Sequence, residues 1–233
     1  MIVGPGRAGG AVATASERAG HEVVGVLTRR PGATPWVELS WDEAIPEVDV
    51  VFVAVRDDAI EEVSHRIAPL VAEVGVVAHL SGFVPVVVLH HLRDRGVAVG
   101  GFHPLQSLPD RESGADALAG SFVGIGGDEL AVDTLTHLAS SIDMEHFRLE
   151  DAARPAYHAA AAAAANFVNV SLGISSDLFN SAGIDPRVSR PLVERAVAHV
   201  FEKGSAASLT GPIARGDIET VIGHLTAAHE VSE

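Results

Sequence analysis

Gly4-Pro5-Gly6-Arg7-Ala8-Gly9 spell G-x-G-x-x-G between the apolar run Met1-Ile2-Val3 and an amphipathic stretch from Ala8 to Ala19. Glycines at this spacing suit phosphate binding. Gly4 permits a tight strand-to-helix turn, Gly6 lets the backbone approach a pyrophosphate, and Gly9 lets the helix pack close to the strand. The helix start then offers free N–H groups and a positive end to the anion. The next apolar run, His21 to Leu27, ends in Thr28-Arg29-Arg30. About twenty residues beyond the glycines, a dinucleotide-binding chain meets the adenosine ribose, with an acid for a free 2′-hydroxyl or an arginine for a 2′-phosphate. A carboxylate about 4 Å from that phosphate costs on the order of 4 kcal/mol at an effective dielectric near 20, and an arginine gains a similar gross amount. The sign of the charge predicts NADP. The expected cofactor-binding residues are Gly4, Pro5, Gly6, Arg7, Ala8, Gly9, Thr28, Arg29 and Arg30, with Val55 and Asp58 after the third strand. The competing reading makes Arg29 and Arg30 solvated loop residues.

The ligand of an open α/β sheet lies outside the carboxyl ends of its strands. His79, Ser81 and Gly82 straddle the end of one predicted strand, and His103 and Gln106 follow the next. Imidazole is the side chain best suited to proton transfer near neutral pH. Ser81 and His103 are therefore expected to orient and protonate a substrate oxygen. His158 and Asn166 lie eight apart on a predicted helix, about two turns on one face, and are expected at the same site. Gln106 and Arg215 are the expected substrate-binding residues, because Arg215 ends a Gly/Pro-rich loop suited to carboxylate or phosphate capture. His79 sits inside an apolar run and is expected to be structural. The histidines lack His-x₃-His spacing and there are no paired carboxylates, so no metal site is expected.

The elements that must position these residues change character near residue 150. Before it, apolar runs at 48–55, 75–80, 97–102, 121–126 and 144–149 alternate with helical patterns at 57–71, 85–95 and 128–140. Such alternation predicts a doubly wound parallel sheet over residues 1–150. From 151 to 233 an all-helical domain is expected, with helices at 152–182, 190–203 and 218 to about 228. Ala159 to Ala165 is an unbroken alanine run, the best helix former and small enough for close helix approach. Three residues before Gly4 are few for a central strand, so the natural chain is expected either to start upstream or to tolerate a stub.

Bulk composition narrows the classes. With 233 residues and 47% hydrophobic content the chain can build a sizeable core. It has no cysteine, which excludes disulfides, thiolate nucleophiles and cysteine-bound metals. A formal charge of −15 argues against nucleic acid and anionic membranes as partners. No uninterrupted apolar run has membrane-span length and no basic leader is seen, so a cytoplasmic protein is expected. The long alanine-rich helix would expose a broad apolar face in isolation, so a homodimer through the helical domain is expected.

Four motifs occur in order: His79-Leu80-Ser81-Gly82, Gly101-Phe102-His103-Pro104-Leu105-Gln106-Ser107, Tyr157-His158-Ala159-Ala160 and Leu209-Thr210-Gly211-Pro212-Ile213-Ala214-Arg215-Gly216-Asp217. Together they resemble an uncharacterised bacterial family joining a Rossmann-like domain to a helical C-terminal domain of unknown function. The resemblance implies the 6-phosphogluconate dehydrogenase-like superfamily, near prephenate dehydrogenase, ketopantoate reductase and pyrroline-5-carboxylate reductase. Those relatives use NAD(P), pair their helical domains into dimers and bind substrate between domains. The chain departs from the lysine-dependent members. If Asn166 is their helix asparagine, Ala162 stands where they carry lysine, and the single lysine is Lys203. The His103-Pro104 pair with Ser81 is closer to the prephenate dehydrogenase arrangement. The expected function is an NADP-dependent oxidoreductase of a small anionic carbonyl, hydroxy or imine compound. The alternative is a non-catalytic NADP(H) sensor.

Overall fold

A computed structural model describes every residue except Pro31, Ala33 and Glu233. The chain divides into two compact units, Met1–Ala161 and Ala162–Glu233. The division falls inside the alanine-rich helix, not at its start.

The first unit is built on a seven-stranded sheet of order β2-β1-β3-β4-β5-β6-β7. Its strands are β1 (Ile2–Val3), β2 (Val26–Leu27), β3 (Val48–Val53), β4 (Val74–His79), β5 (Ala98–Pro104), β6 (Phe122–Gly127) and β7 (Glu145–Arg148). The helices are α1 (Arg7–Arg18), α2 (Ile60–Ile67), α3 (Arg111–Leu118), α4 (Glu129–Ser141) and α5 (Arg154–Ala162), with a 3₁₀ helix at Val86–Arg95. Both faces of the sheet are covered. Ile2, Phe52, Val76 and Phe102 face one layer with Val12, Leu118 and Leu135. Val3, Val51, Val53, Val77 and Val99 face the other with Ile60, Ile67 and Leu92. Burial on two sides explains why β3 and β4 are almost continuously apolar.

Four local expectations are corrected. The strand foreseen over 21–27 is only Val26–Leu27, because β1 offers two residues to pair with it, Ile2 to Val26 and Val3 to Leu27. The sheet is parallel except that β6 runs antiparallel to β5. An eight-residue α3, roughly 12 Å long, cannot carry the chain back along a seven-residue β5 of roughly 23 Å, so β6 starts beside the end of β5. The helix foreseen at 85–95 is 3₁₀ and ends at Gly96, which is left-handed with φ +79°. The loop at 210–216 contains a short helix, α9 (Gly211–Arg215).

The second unit is all helical: a π-helical segment at Ala163–Phe167, then α6 (Val168–Ser181), α7 (Arg190–Lys203), α8 (Ser205–Ser208), α9 and α10 (Ile218–Ser232). Asp217 starts α10 as foreseen, its carboxylate accepting from the Thr220 amide at 3.2 Å. The helix spanning Asp151–Ser181 has 31 residues and, by length and composition alone, is apolar enough to cross a membrane. The expectation above concerned uninterrupted apolar runs, and this segment holds none of span length. The isolated Ser and Asn positions break each run without lowering the mean hydropathy enough.

Candidate functional site

The order of β2, β1 and β3 reverses direction at β1, and the crevice beyond the carboxyl ends of β1 and β3 is where doubly wound sheets bind ligands. The glycine turn sits there. Gly4 has φ +88°, and a Cβ on it would lie 2.8 Å from the Ala54 carbonyl and 2.9 Å from Val55 Cγ1. A Cβ on Gly9 would lie 2.7 Å from the Ala54 methyl and 2.7 Å from the Gly4 carbonyl. The protein itself therefore demands these two glycines. Gly6 is different: a Cβ there meets nothing within 4 Å. Space is open where that side chain would stand, at the residue that precedes α1. No side chain caps α1 and its first turn holds no acid, so its positive end is uncompensated by the protein. These features fit a dinucleotide pyrophosphate, with Pro5, Arg7 and Ala8 completing the turn.

The Gly4 amide donates to the Leu27 carbonyl at 2.9 Å, which places Thr28 beside the turn. Thr28 Oγ1 accepts from the Arg30 amide at 3.1 Å, and Trp41 Nε1 donates to the Thr28 carbonyl at 3.1 Å. Arg29 and Arg30 are exposed and make no ion pair among the described residues. Asp58 differs: it is bound by Arg56 through two contacts, at 3.1 and 2.9 Å, on the surface. Its carboxylate, held below the usual range by the hydrogen bond from that guanidinium, is committed to Arg56.

A second cluster occupies the carboxyl ends of β4 and β5. Ser81 is buried, and its Oγ accepts from the amides of Phe83 at 3.1 Å and Val84 at 2.9 Å, leaving the hydroxyl proton to donate. His103 Nδ1 lies 2.7 Å from the Tyr157 hydroxyl. The ring of His158 is 6.1 Å from that of His103 and 6.1 Å from that of Phe83. Burial first, then the fields of His158 and Arg154, push His103 down to about 4, so it is a neutral imidazole near pH 7. Burial pushes the Tyr157 phenol up to about 12. His79 is structural, as foreseen. It is fully buried, its Nδ1 accepts the Ser81 amide at 3.2 Å, and burial pushes it down to about 3.

Sequence reasoning missed Arg154. Its side chain is fully buried. Nη1 donates to the Ser81 carbonyl at 2.9 Å, and Nε pairs with Asp151 at 2.9 Å. Asp151 also accepts the amides of Val86 at 2.7 Å and Val87 at 3.1 Å, capping the 3₁₀ helix. Burial raises the Asp151 carboxyl, but those amides and Arg154 outweigh it and hold it below the usual range. One carboxylate thus ties the start of a helix to a buried cation, and that cation holds the Ser81 backbone. The guanidinium occupies the space where Gly101 lacks a Cβ, and Gly126 on β6 lines the same space. Glycines inside strands signal such close approach. Gly100, Gly101, Gly124, Gly126 and Gly127 in adjacent strands were that signal.

The remaining expected residues have surroundings of their own. Gln106 is exposed and spends its amide on its own surroundings: Nε2 donates to the Ala117 carbonyl at 3.3 Å and Oε1 accepts from the Ser107 amide at 2.8 Å. It braces its loop. Asn166 falls in the π-helical segment of the second unit, where it is exposed. The wider π turn removes the regular α-helical spacing on which an eight-residue interval to His158 meant one face. Arg215 is the exposed last residue of α9, just before Gly216 with φ +70°.

Comparison with solved structures shows the fold. A Bacteroides fragilis protein, provisionally named an NADP oxidoreductase, matches with a TM-score of 0.81 at 21% identity over 97% of this chain and 88% of that one. Plasmodium falciparum pyrroline carboxylate reductase, solved with NADP bound, matches with a TM-score of 0.68 at 12% identity over 99% and 94%. An imine reductase from Myxococcus stipitatus, solved in complex with NADP+, matches with a TM-score of 0.69 at 15% identity over 99% and 87%. No curated protein sequence matches the chain. Residues 121–233, from β6 to the C-terminus, match the family described as Domain of unknown function (DUF2520). The chain thus joins a Rossmann-like N-terminal fold to a helical C-terminal region, and residues 121–233 are similar to that family.

Proposed function

We propose that this protein is an NADP-dependent oxidoreductase acting on a small anionic carbonyl, hydroxy or imine compound. The observation that carries the reading is the pairing of an uncapped α1, open at Gly6, with polar groups grouped at the ends of the neighbouring strands. Gly4 to Gly9 hold the pyrophosphate, and Thr28, Arg29 and Arg30 hold the 2′-phosphate. The bound nicotinamide supplies or accepts hydride. Ser81 and His103 hold the substrate oxygen or nitrogen, and His158 forms a wall beside them. Arg154 acts behind the site, fixing the Ser81 backbone. Structural neighbours solved with NADP or NAD+ support a nicotinamide dinucleotide, and the choice of NADP rests on Arg29 and Arg30.

The chain works as a homodimer through its helical unit. Phe201 is 88% exposed, Leu192 70%, Phe167 69% and Ile213 68%, more apolar surface than a lone small helical unit leaves uncovered. The 31-residue apolar helix is explained by the same second copy.

The test is NADPH oxidation against a panel of small keto acids, imines and enones, beside calorimetric titration with NADPH and NADH. Turnover on one class, with NADPH preferred, is expected. Tight NADPH binding without turnover across the panel would make the protein a sensor, and no binding of either dinucleotide would end the reading.

A further inference from the structure

The two nitrogens of His103 stand in different settings. Nδ1 faces the Tyr157 hydroxyl at 2.7 Å, and the two rings meet edge-on at 90° with centroids 5.4 Å apart. Among the described residues that hydroxyl has no other hydrogen-bond partner, so the pair settles which nitrogen of His103 carries the proton. A phenol donating to Nδ1 leaves the imidazole's own proton on Nε2. Gly82 lies against the face of the ring, where a Cβ would come within 2.8 Å of both Nε2 and Cε1 and 2.9 Å of Cδ2. The missing side chain lets the ring sit flat on that backbone and leaves the Nε2 edge to its own partners.

We infer that Tyr157 is a positioning residue that fixes His103 as a neutral imidazole, presenting Nε2–H as a hydrogen-bond donor and not as an acid. The inference rests on the proposed oxidoreductase site and narrows its chemistry. The groups facing His103 are Tyr157, His158 and Arg154 from the α5 side and His79 from β4. None is a carboxylate that would favour an imidazolium. Ser81 Oγ already accepts two amides, so its hydroxyl is likewise left as a donor. Two donors suit an acceptor atom, a carbonyl oxygen or an imine nitrogen. They do not suit a hydroxyl that must lose its proton to a base. The site is therefore built for reduction. A reduced nicotinamide would supply hydride to the substrate carbon; Nε2–H of His103 and the Ser81 hydroxyl would hold the oxygen or nitrogen on which charge gathers, and that atom would take its proton from water.

The experiment is ¹⁵N-imidazole NMR of the full chain from pH 8 to 5, with His103→Gln assigning the signal and Tyr157→Phe as the probe. Expected is a non-titrating Nε2–H tautomer in the parent chain and a mixture of tautomers in Tyr157→Phe. A His103 proton on Nδ1, or a His103 signal that titrates between pH 6 and 7, overturns the inference, and the parent spectrum alone decides it if the Tyr157 variant does not fold. The spectrum needs no turnover. A fixed Nε2–H tautomer in a protein that fails the NADPH panel would sink the proposed function while leaving the tautomer standing.

Discussion

The guanidinium of Arg154 fills the volume that a side chain on Gly101 would take. This buried cation and this strand glycine are one feature, written at two places in the sequence. Gly101→Ala is expected to destabilise the fold by about 2–4 kcal/mol, since the alternatives are overpacking or expulsion of a paired charge. Gly173→Ala, at an α6 position where a Cβ meets nothing within 4 Å, is the control and should gain up to about 1 kcal/mol in helix propensity. Denaturant melts of the two variants check the contrast. Equal midpoints would show that Arg154 is not confined as described.

Asp151 serves Arg154 and the Val86 and Val87 amides at once. Asp151→Ala should cost about 3–5 kcal/mol because it strands a buried charge. Combined with Arg154→Leu, the loss should be smaller than the sum of the two singles. Additivity in that double-mutant cycle would mean the two side chains are independent.

Acid should destabilise the first unit before its carboxylates titrate. His79 sits at about 3 and His103 at about 4, against an ordinary 6.5. The unfolded chain therefore binds their protons first. Stability is complete above about pH 6.5 and falls as pH drops toward 4. At about 1.4 kcal/mol per pH unit the His103 contribution is on the order of 3 kcal/mol. Urea unfolding at pH 7.5 and 4.5 measures it, and His103→Gln should flatten part of the slope. Stability that rises on acidification would contradict the sign.

For the cofactor, Arg29→Ala with Arg30→Ala should weaken NADPH binding roughly ten- to a hundredfold, about 1.4–2.8 kcal/mol, with NADH affected little. Calorimetry with both nucleotides reads this directly. An equal loss for both would assign the arginines to general electrostatics.

The helical unit should self-associate. Phe201→Asp or Leu192→Asp should shift sedimentation from dimer to monomer, since each side chain contributes about 1.5–3 kcal/mol when fully covered. A parent chain that sediments as a monomer at all concentrations would remove the homodimer.

Much of this was legible in the sequence because it is local. The glycine turn, the arginine pair after the second apolar run, Ser81 and His103 at strand ends and the all-helical C-terminal region follow from spacing and periodicity. The overlooked parts depend on distant partners. An arginine reads as exposed until the strands beside it are known to lack side chains. The length of β2 was set by how little of β1 there is to pair with. The direction of β6 was set by a helix too short to cross back. The π turn at Ala163–Phe167 is hidden within an alanine run whose propensity does not distinguish one helical form from another.

Gly82 bears on any attempt to recode this region. A single methyl group there would strike the His103 ring, as one at Gly101 would strike Arg154. Half-exposed Phe83, beside it, can change size at little structural expense. Redesign of substrate scope should therefore start at position 83 and leave position 82 untouched. Alteration of the larger residue retunes the neighbourhood, whereas enlargement of the smallest one pushes the imidazole off its seat.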